Sequence, residues 1–550
     1  VNASRICVAA ALAALTLAGF YFFPGHTWLQ SDTQIYVPIL QHLEDSSVLK
    51  RDIVATRPHV RWTVYDEVAV IGRSLTGLEY RELLEIQQVI FRFAGIGGAY
   101  LLGLALTGGA IPALFVAACF GLGATVNGPA VLTLEYEPVP RGFAVLLITC
   151  ALGLAAHSRW LPAAAAAAIA LVYHPPTAAL FWFCAVLWRV FQRGTPAAGR
   201  LLAPFPAGVV LLALIAFLQH GEREAQDLFG RIEPGLESLQ KMRGMYNWIS
   251  LWPREWFWQY PLLFCVVVAA WLRLRREMPL ALRWFSIVFP AAGLLTMPLS
   301  YLLLDVGKWS LLPQLQPARN VLFITFFAVI LGAAAAWRAG SKRKLPESFA
   351  WLFVVFAIPA NGVVFPLIPD AFTAPIAKRR LIIVVALAAC GMIGAWLAAR
   401  RKAAGAALAA ASICGAIWLI PSWGGMKNFA PLHSPELDQL AAWARASTPK
   451  DAVFLFADAH RRLEPGVFRA QAQRALYVDW KGGGQVNLLK IFAFEWWRRW
   501  RAVNEARPPL RRLEDYRDLG IDYVVVTPAN RPSRAAPVFA NSEWEVVPTS

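Results

Sequence analysis

Apolar positions along this chain gather into long runs instead of alternating with polar ones. A helix crosses a hydrocarbon core with about 17 to 25 apolar residues. Runs of roughly that kind mark about thirteen spans, near 5–23, 88–106, 110–126, 141–157, 160–173, 175–191, 201–218, 260–274, 281–303, 319–337, 349–368, 380–399 and 404–421. The fifth, WLPAAAAAAIALVY, is short, and the eleventh is interrupted by IPANG. The first, ICVAAALAALTLAGFYFF, is too long and too aromatic at its end for a signal peptide's apolar core, and it reads as a retained span.

Three polar stretches interrupt this pattern, at 24–87, 219–259 and 429–550. In the first, YVPILQHLEDSSVLKRD and RWTVYDEVAVIGRSLTGLEYRELLEIQQV place apolar residues at helical spacing. They read as amphipathic helices lying along a membrane interface and framing a groove for a lipid tail. The last stretch predicts a soluble α/β domain: a helix over SPELDQLAAWARAST with Ser434 as N-cap, strands over DAVFLFA, ALYVDW and IDYVVVTP, and helices over NLLKIFAFEWWRRWRAVNEA and LRRLEDYRDLG. EWWRRWR reads as a helix face docking onto the membrane domain or lipid heads. The expected fold is mostly α, a polytopic helical membrane domain over 1–428 followed by an α/β domain over 429–550.

Composition agrees, with 57% hydrophobic and 16% charged residues. The net charge of +17 would raise nucleic acid for a soluble chain, but here much of the excess sits in short loops, where orientation and anionic lipid explain it and no nucleic acid is expected. With the N-terminus in the cytoplasm, the basic loops at Arg189–Arg200, Arg273–Arg283, Arg338–Lys344 and Arg400–Lys402 all fall inside. The three polar stretches then lie outside, in the periplasm or cell exterior of a bacterial inner (plasma) membrane. Lys378, Arg379 and Arg380 are the exception, on the outer side; they fit either a seat for a lipid phosphate or a re-entrant eleventh span. The seven cysteines show neither metal spacing nor a disulfide framework.

Candidate chemistry is sparse. Asp32, in SDTQIYVPIL, fits a first-turn carboxylate after a Ser31 cap, with Gln34 at the capping-box position, and equally a general base at the membrane surface. Glu135 and Glu137 in LEYEPVPR are either paired with Arg141 or solvated, or assist Asp32. His174 in YHPPT caps a helix or binds a phosphate or sugar. Gln316 and Arg319 stand at an outer helix start suited to a phosphate. Trp252 and Trp256 could stack on sugars or belong to an aromatic belt. Asp479 and Lys481 flank the glycine loop of VDWKGGG, which reads as a connection able to contact an acceptor glycan.

A first span, a long outer loop opening with an Asp and carrying interface helices, many further spans and an outer α/β domain together resemble the GT-C superfamily of multispanning glycosyltransferases. EYEPVPRGFA, YHPPTAALFW, LQPARNVLF, FRAQAQRALYVDWKGG and EWWRRW resemble a bacterial group of multispanning membrane proteins of uncharacterised activity. The GT-C resemblance implies a lipid-linked sugar donor on a polyprenyl phosphate, a glycan or lipid acceptor, and Asp32 as base or metal ligand. It also implies a second acidic site at Glu135 or Glu137, with a divalent cation (Mg or Mn) as an option and no other cofactor. The rival readings are a transporter or flippase for lipid-linked or anionic substrates, and a scaffold without catalysis.

Overall fold

The computed structural model describes residues 3–57, 62–192, 196–219, 229–423, 432–505, 512–531 and 536–549. Each apolar run coincides with a helix. Seven helices are long and apolar enough to cross a membrane: Tyr80–Thr107, Gly199–Leu218, Arg254–Leu274, Leu280–Val306, Leu312–Ser341, Pro375–Ala398 and Lys402–Trp423. Shorter apolar helices cover Arg5–Tyr21, Ala110–Gly121, Pro140–Ala156, Trp160–Tyr173, Pro175–Phe191 and Leu345–Ala360. The most apolar stretch of the Leu312–Ser341 helix is entirely buried, so its neighbours wrap it on every side.

Close backbone approach explains why small residues recur in these helices. A Cβ on Gly98 would stand 2.5 Å from Cys150 Cα, and one on Gly153 would stand 2.4 Å from Gly98 O. Helices Tyr80–Thr107 and Pro140–Ala156 therefore touch backbone to backbone, the packing that lipid-embedded helices favour. At one end of the bundle the basic loops meet: Arg338 pairs with Glu277 at 2.5 Å and Arg273 with Glu347 at 2.7 Å. The eleventh segment ends at Ala360, and the break after it is pinned. Arg380 donates to Asn361 Oδ1 (2.7 Å), while Gln259 donates to Gly362 O (3.1 Å) and accepts from Val364 N (2.7 Å).

A two-stranded ribbon, β1 (Thr125–Val126) and β2 (Val131–Leu132), stands at the other end. The C-terminal part holds a five-stranded sheet of β3 (Val453–Phe456), β4 (Ala475–Leu476), β5 (Tyr523–Val526), β6 (Phe539–Ala540) and β7 (Glu545–Pro548) in the order β4-β3-β5-β7-β6. β4, β3 and β5 run parallel, and β7 and β6 extend them antiparallel. Ser434 caps its helix as expected, its Oγ accepting from Leu437 N (3.2 Å). The β6–β7 pair, absent from the sequence reading, closes the sheet edge. The boundary at 428/429 lies outside the described residues.

One expectation changes and another narrows to one of its two settings. Helix Thr33–Glu44 is not a peripheral interface helix: Ile35 and Ile39 are buried with Trp248, Val486 and Trp496, and Val37 with Phe454 and Phe468. EWWRRWR packs on residues of 1–428, the first of its two expected settings, and its tryptophans do not face lipid heads: Trp496 and Trp500 are buried with Ile35, Ile39 and Trp248. Both stretches are amphipathic, but their apolar faces meet each other's domain. A buried cluster fixes this union. Arg469 donates to Asp479 Oδ1 (2.7 Å) and Gln34 O (2.9 Å), and Asp52 Oδ2 lies 3.9 Å from Arg469 and accepts from Leu476 N (2.9 Å).

Candidate active site

Asp32 immediately precedes helix Thr33–Glu44, yet its side chain caps nothing. Nor does Ser31 cap it. The helix start is held by Glu137, from 104 to 107 residues away: Oε1 accepts from Gln30 N (2.8 Å), Ser31 N (2.7 Å) and Thr33 Oγ1 (2.8 Å), and Oε2 from Thr33 N (3.1 Å). A remote carboxylate doing the capping leaves the Asp32 carboxylate free to face elsewhere. Gln34 turns back to donate to Leu29 O instead of closing a capping box.

The Asp32 carboxylate faces cations. Lys481 Nζ donates to its Oδ1 (2.7 Å) and to Ser31 Oγ (3.0 Å), and Arg141 Nη2 stands 3.5 Å from Oδ2. Arg141 also pairs with Glu135 at 2.8 Å. The backbone carbonyl of Glu135 is gripped by Gln88 (3.1 Å) and by Arg92 (2.7 Å), a fully buried arginine that also holds Gly19 O and Gly25 O. Gln88 is not distinguished in the sequence, whereas Arg92 is a charge inside the apolar run 88–106, the signal that could have marked it. Burial works against ionisation of Asp32, but Lys481 and Arg141 outweigh it and hold the carboxyl below its usual range. Burial, followed by the Asp32 charge, pushes the Glu137 carboxyl up.

This cluster heads a cavity of ≈ 1210 Å³. Its polar end carries four cationic residues, Arg141, Arg243, Arg319 and Lys481, against three carboxylates, Asp32, Glu135 and Glu137. Among the described residues Arg319 has no carboxylate partner; its guanidinium lies 4.8 Å over the Tyr246 ring and its buried Nε is unpaired. Arg243 stacks on Trp480 at 3.8 Å and donates to its carbonyl, again with Nε unpaired. The opposite end is apolar, with Trp182, Phe183 and Val186 on one helix and Phe205, Val209 and Leu212 on another. Phe183, Val186 and Val209 are exposed on the bundle's flank, so the trough opens sideways.

The structure brings Asp32, Glu135, Glu137, His174, Gln316, Arg319 and Lys481 to one cavity. His174 Nδ1 accepts from Thr177 N (3.3 Å), capping the helix that follows it, not the one before. Gln316 is a left-handed corner (φ +46°) that turns the chain into the segment carrying Arg319. Asp479 does not face the cavity; its Oδ2 accepts from Gly482 N (2.9 Å) and fixes the loop that presents Lys481. Trp252 is buried across Gly128, where a Cβ would come 2.9 Å from its ring, and it shapes the β1–β2 turn. Trp256 packs against the bundle core. Lys378 and Arg379 are exposed and Arg380 braces the 361–364 break, so these three stand apart from the cavity.

A divalent cation does not fit these carboxylates as they stand. Glu137 is committed to four donors, Glu135 to Arg141, and Asp32 faces two cations. Among the described residues no group of three or more His, Cys, Asp or Glu side chains is placed to hold a metal ion.

Residues 435–503, which carry Arg469, Asp479 and Lys481, match the family model described as a domain of unknown function, DUF6798. No curated protein matches the chain. Among solved structures it is similar to arabinofuranosyltransferase AftD from Mycobacteria and to a mutant of that protein, each at 14% identity with a TM-score of 0.47 over 100% of this chain. The chain spans 40% and 42% of the length of those two chains.

Proposed function

We propose that the protein is a GT-C-like glycosyltransferase that moves a sugar from a polyprenyl-phosphate donor to a hydroxyl of a glycan or lipid acceptor. One observation carries the reading. A single cavity joins an ionised carboxylate and a surplus of cations to an apolar trough open to the side of the bundle. That is the shape and polarity of a phosphorylated lipid with a polar head. In this reading all thirteen apolar helices span a bacterial inner (plasma) membrane with the N-terminus inside. The basic loops face the cytoplasm, and the C-terminal domain, from residue 429, faces the periplasm or cell exterior.

Asp32 takes the proton of the acceptor hydroxyl as its oxygen bonds to the sugar's anomeric carbon. The bond from that carbon to the phosphate oxygen breaks, and the electron pair leaves with the lipid phosphate. Arg319 and Arg243, which pair with no carboxylate among the described residues, receive the charge that develops there. Glu137 orients Asp32 through the helix start, and Glu135 holds Arg141 beside it. No step runs through a metal ion.

The test is incubation of the purified protein with a panel of polyprenyl-phosphate sugars, with release of the lipid phosphate read by mass spectrometry. Asp32→Asn should lower release by about 10²- to 10⁴-fold with unchanged expression and thermal stability. Full activity in that variant removes Asp32 from the role of base.

A further inference from the structure

Lys481 belongs to the C-terminal domain, yet its ammonium sits on the carboxylate that opens the first loop. Its position is set from behind. Gly482 N is held by Asp479, the Trp480 carbonyl by Arg243, and the Trp480 ring lies against Trp496 and Trp500. The glycines let this loop seat itself: a Cβ on Gly483 would come 2.5 Å from the Trp496 ring, and one on Gly482 2.6 Å from Asp479 Oδ1. The backbone of the loop is therefore fixed, while the four-carbon stem of Lys481 is the part that can swing.

We infer that Lys481 is a positioning residue that transfers its charge from Asp32 to the phosphate of an incoming lipid donor, so that the base is uncovered only once the donor is seated. The inference rests on the donor class proposed above. Lys481 lines the same cavity as Arg319 and Arg243, so a phosphate held by those two guanidiniums shares that cavity with the ammonium. The donor's phosphodiester matches the Asp32 carboxylate in charge, and the phosphomonoester formed as the sugar leaves offers the ammonium more negative charge and more acceptor oxygens than the Asp32 and Ser31 oxygens it holds in this structure. With Lys481 gone, the ion-pair partner left to Asp32 among the described residues is Arg141, at 3.5 Å. A carboxylate capped by an ammonium is a poor proton acceptor, and the same carboxylate with that cation withdrawn is a better one. Arg141 cannot play this part, because its Nε is tied to Glu135 at 2.8 Å.

The deciding measurement is binding of decaprenyl phosphate, without a sugar, to the full chain in detergent, followed by tryptophan emission. Wild type should bind. Asp32→Asn should bind at least about threefold more tightly, because Lys481 no longer has to leave a carboxylate, and Lys481→Met about tenfold more weakly. In the double variant the gain from Asp32→Asn should vanish, and Lys481→Arg should restore part of the binding lost in Lys481→Met. Thermal melting of each variant confirms that the fold is retained. A gain from Asp32→Asn that persists without Lys481, or a Lys481→Met protein that binds like wild type, overturns the charge transfer and leaves the donor class standing. Absence of binding by wild type overturns both.

Discussion

Two aspartates of the first loop each meet the glycine-loop region of the C-terminal domain, and they do so in opposite surroundings. Asp52 is sealed with Arg469 and Asp479, their side chains only 1%, 1% and 3% exposed. Asp32 meets Lys481 and Arg141 at the head of a cavity and is 33% exposed. The partners are of the same kind, carboxylate against cation, and the loop residues that supply Asp479 and Lys481 are two positions apart. In the sealed cluster the remaining acceptors are closed by backbone donors, Val54 N, Ala55 N, Leu476 N and Gly482 N. In the open cluster the remaining room is a cavity. Residue chemistry alone does not separate a strut from a site; what closes the last face does.

The largest break in this comparison comes from opening the sealed cluster. Arg469→Ala leaves two buried carboxylates without their cation, a loss of about 3 to 5 kcal/mol. Burial raises the Asp52 carboxyl, and Arg469 opposes that shift. With the folded value above the unfolded one, the folded state holds its proton more firmly, so stability falls as pH rises through that interval. Removing Arg469 widens the interval. The melting temperature of Arg469→Ala should therefore drop further at pH 8 than at pH 5, and adding Asp52→Asn should recover part of the loss. An equal drop at both pH values would mean that packing, not charge, holds the two regions together.

The apolar runs were legible because membrane helices are long and uniform in composition, and each run meets a helix. The sheet was legible where strands are apolar, rich in Val and Phe, and buried, as in Val453–Phe456 and Tyr523–Val526, and not at Phe539–Ala540, which has two residues and little pattern. Asp32 stood out by position, where a first-turn carboxylate and a general base were both expected. What the chain could not show was long-range pairing. Nothing in VDWKGGG says that Lys481 reaches back 449 residues to Asp32, or in LEYEPVPR that Glu137 caps a helix 104 residues earlier. Amphipathic patterning misled for Thr33–Glu44 and left Lys490–Asn504 open between two surfaces, because periodicity reports that a face is apolar without naming what covers it.

A smaller effect sharpens the comparison inside the open cluster. Glu137→Gln replaces a two-oxygen acceptor by an amide whose NH₂ faces backbone donors, costing about 1 to 3 kcal/mol locally. The start of helix Thr33–Glu44 shifts and Asp32 moves with it, so kcat/KM should fall about 10- to 100-fold without loss of the fold. The pH profile separates the two acids. The Glu137 carboxyl is raised and the Asp32 carboxyl lowered, so as pH falls Glu137 takes a proton first. The acid limb of the wild-type profile should follow Glu137, above the usual carboxylate range, and should flatten in Glu137→Gln. An acid limb unchanged by that substitution would return the titration to another group.

The smallest expected effect tests whether anion binding is confined to the cavity. Lys378 and Arg379 are exposed on the first turn of helix Pro375–Ala398, away from the residues that line the cavity, and only their neighbour Arg380 has a structural partner, Asn361, among the contacts resolved at this turn. An exposed charge with nothing built around it changes binding little, so Lys378→Gln with Arg379→Gln should alter decaprenyl phosphate affinity by less than about twofold. Arg380→Gln should instead lower thermal stability by about 1 kcal/mol, because the 361–364 break loses a charged brace, and leave affinity alone. A tenfold loss of affinity on removing Lys378 and Arg379 would show that surface charge gathers the lipid phosphate before the cavity does. The open cavity at Asp32 would then be only the second of two anion sites.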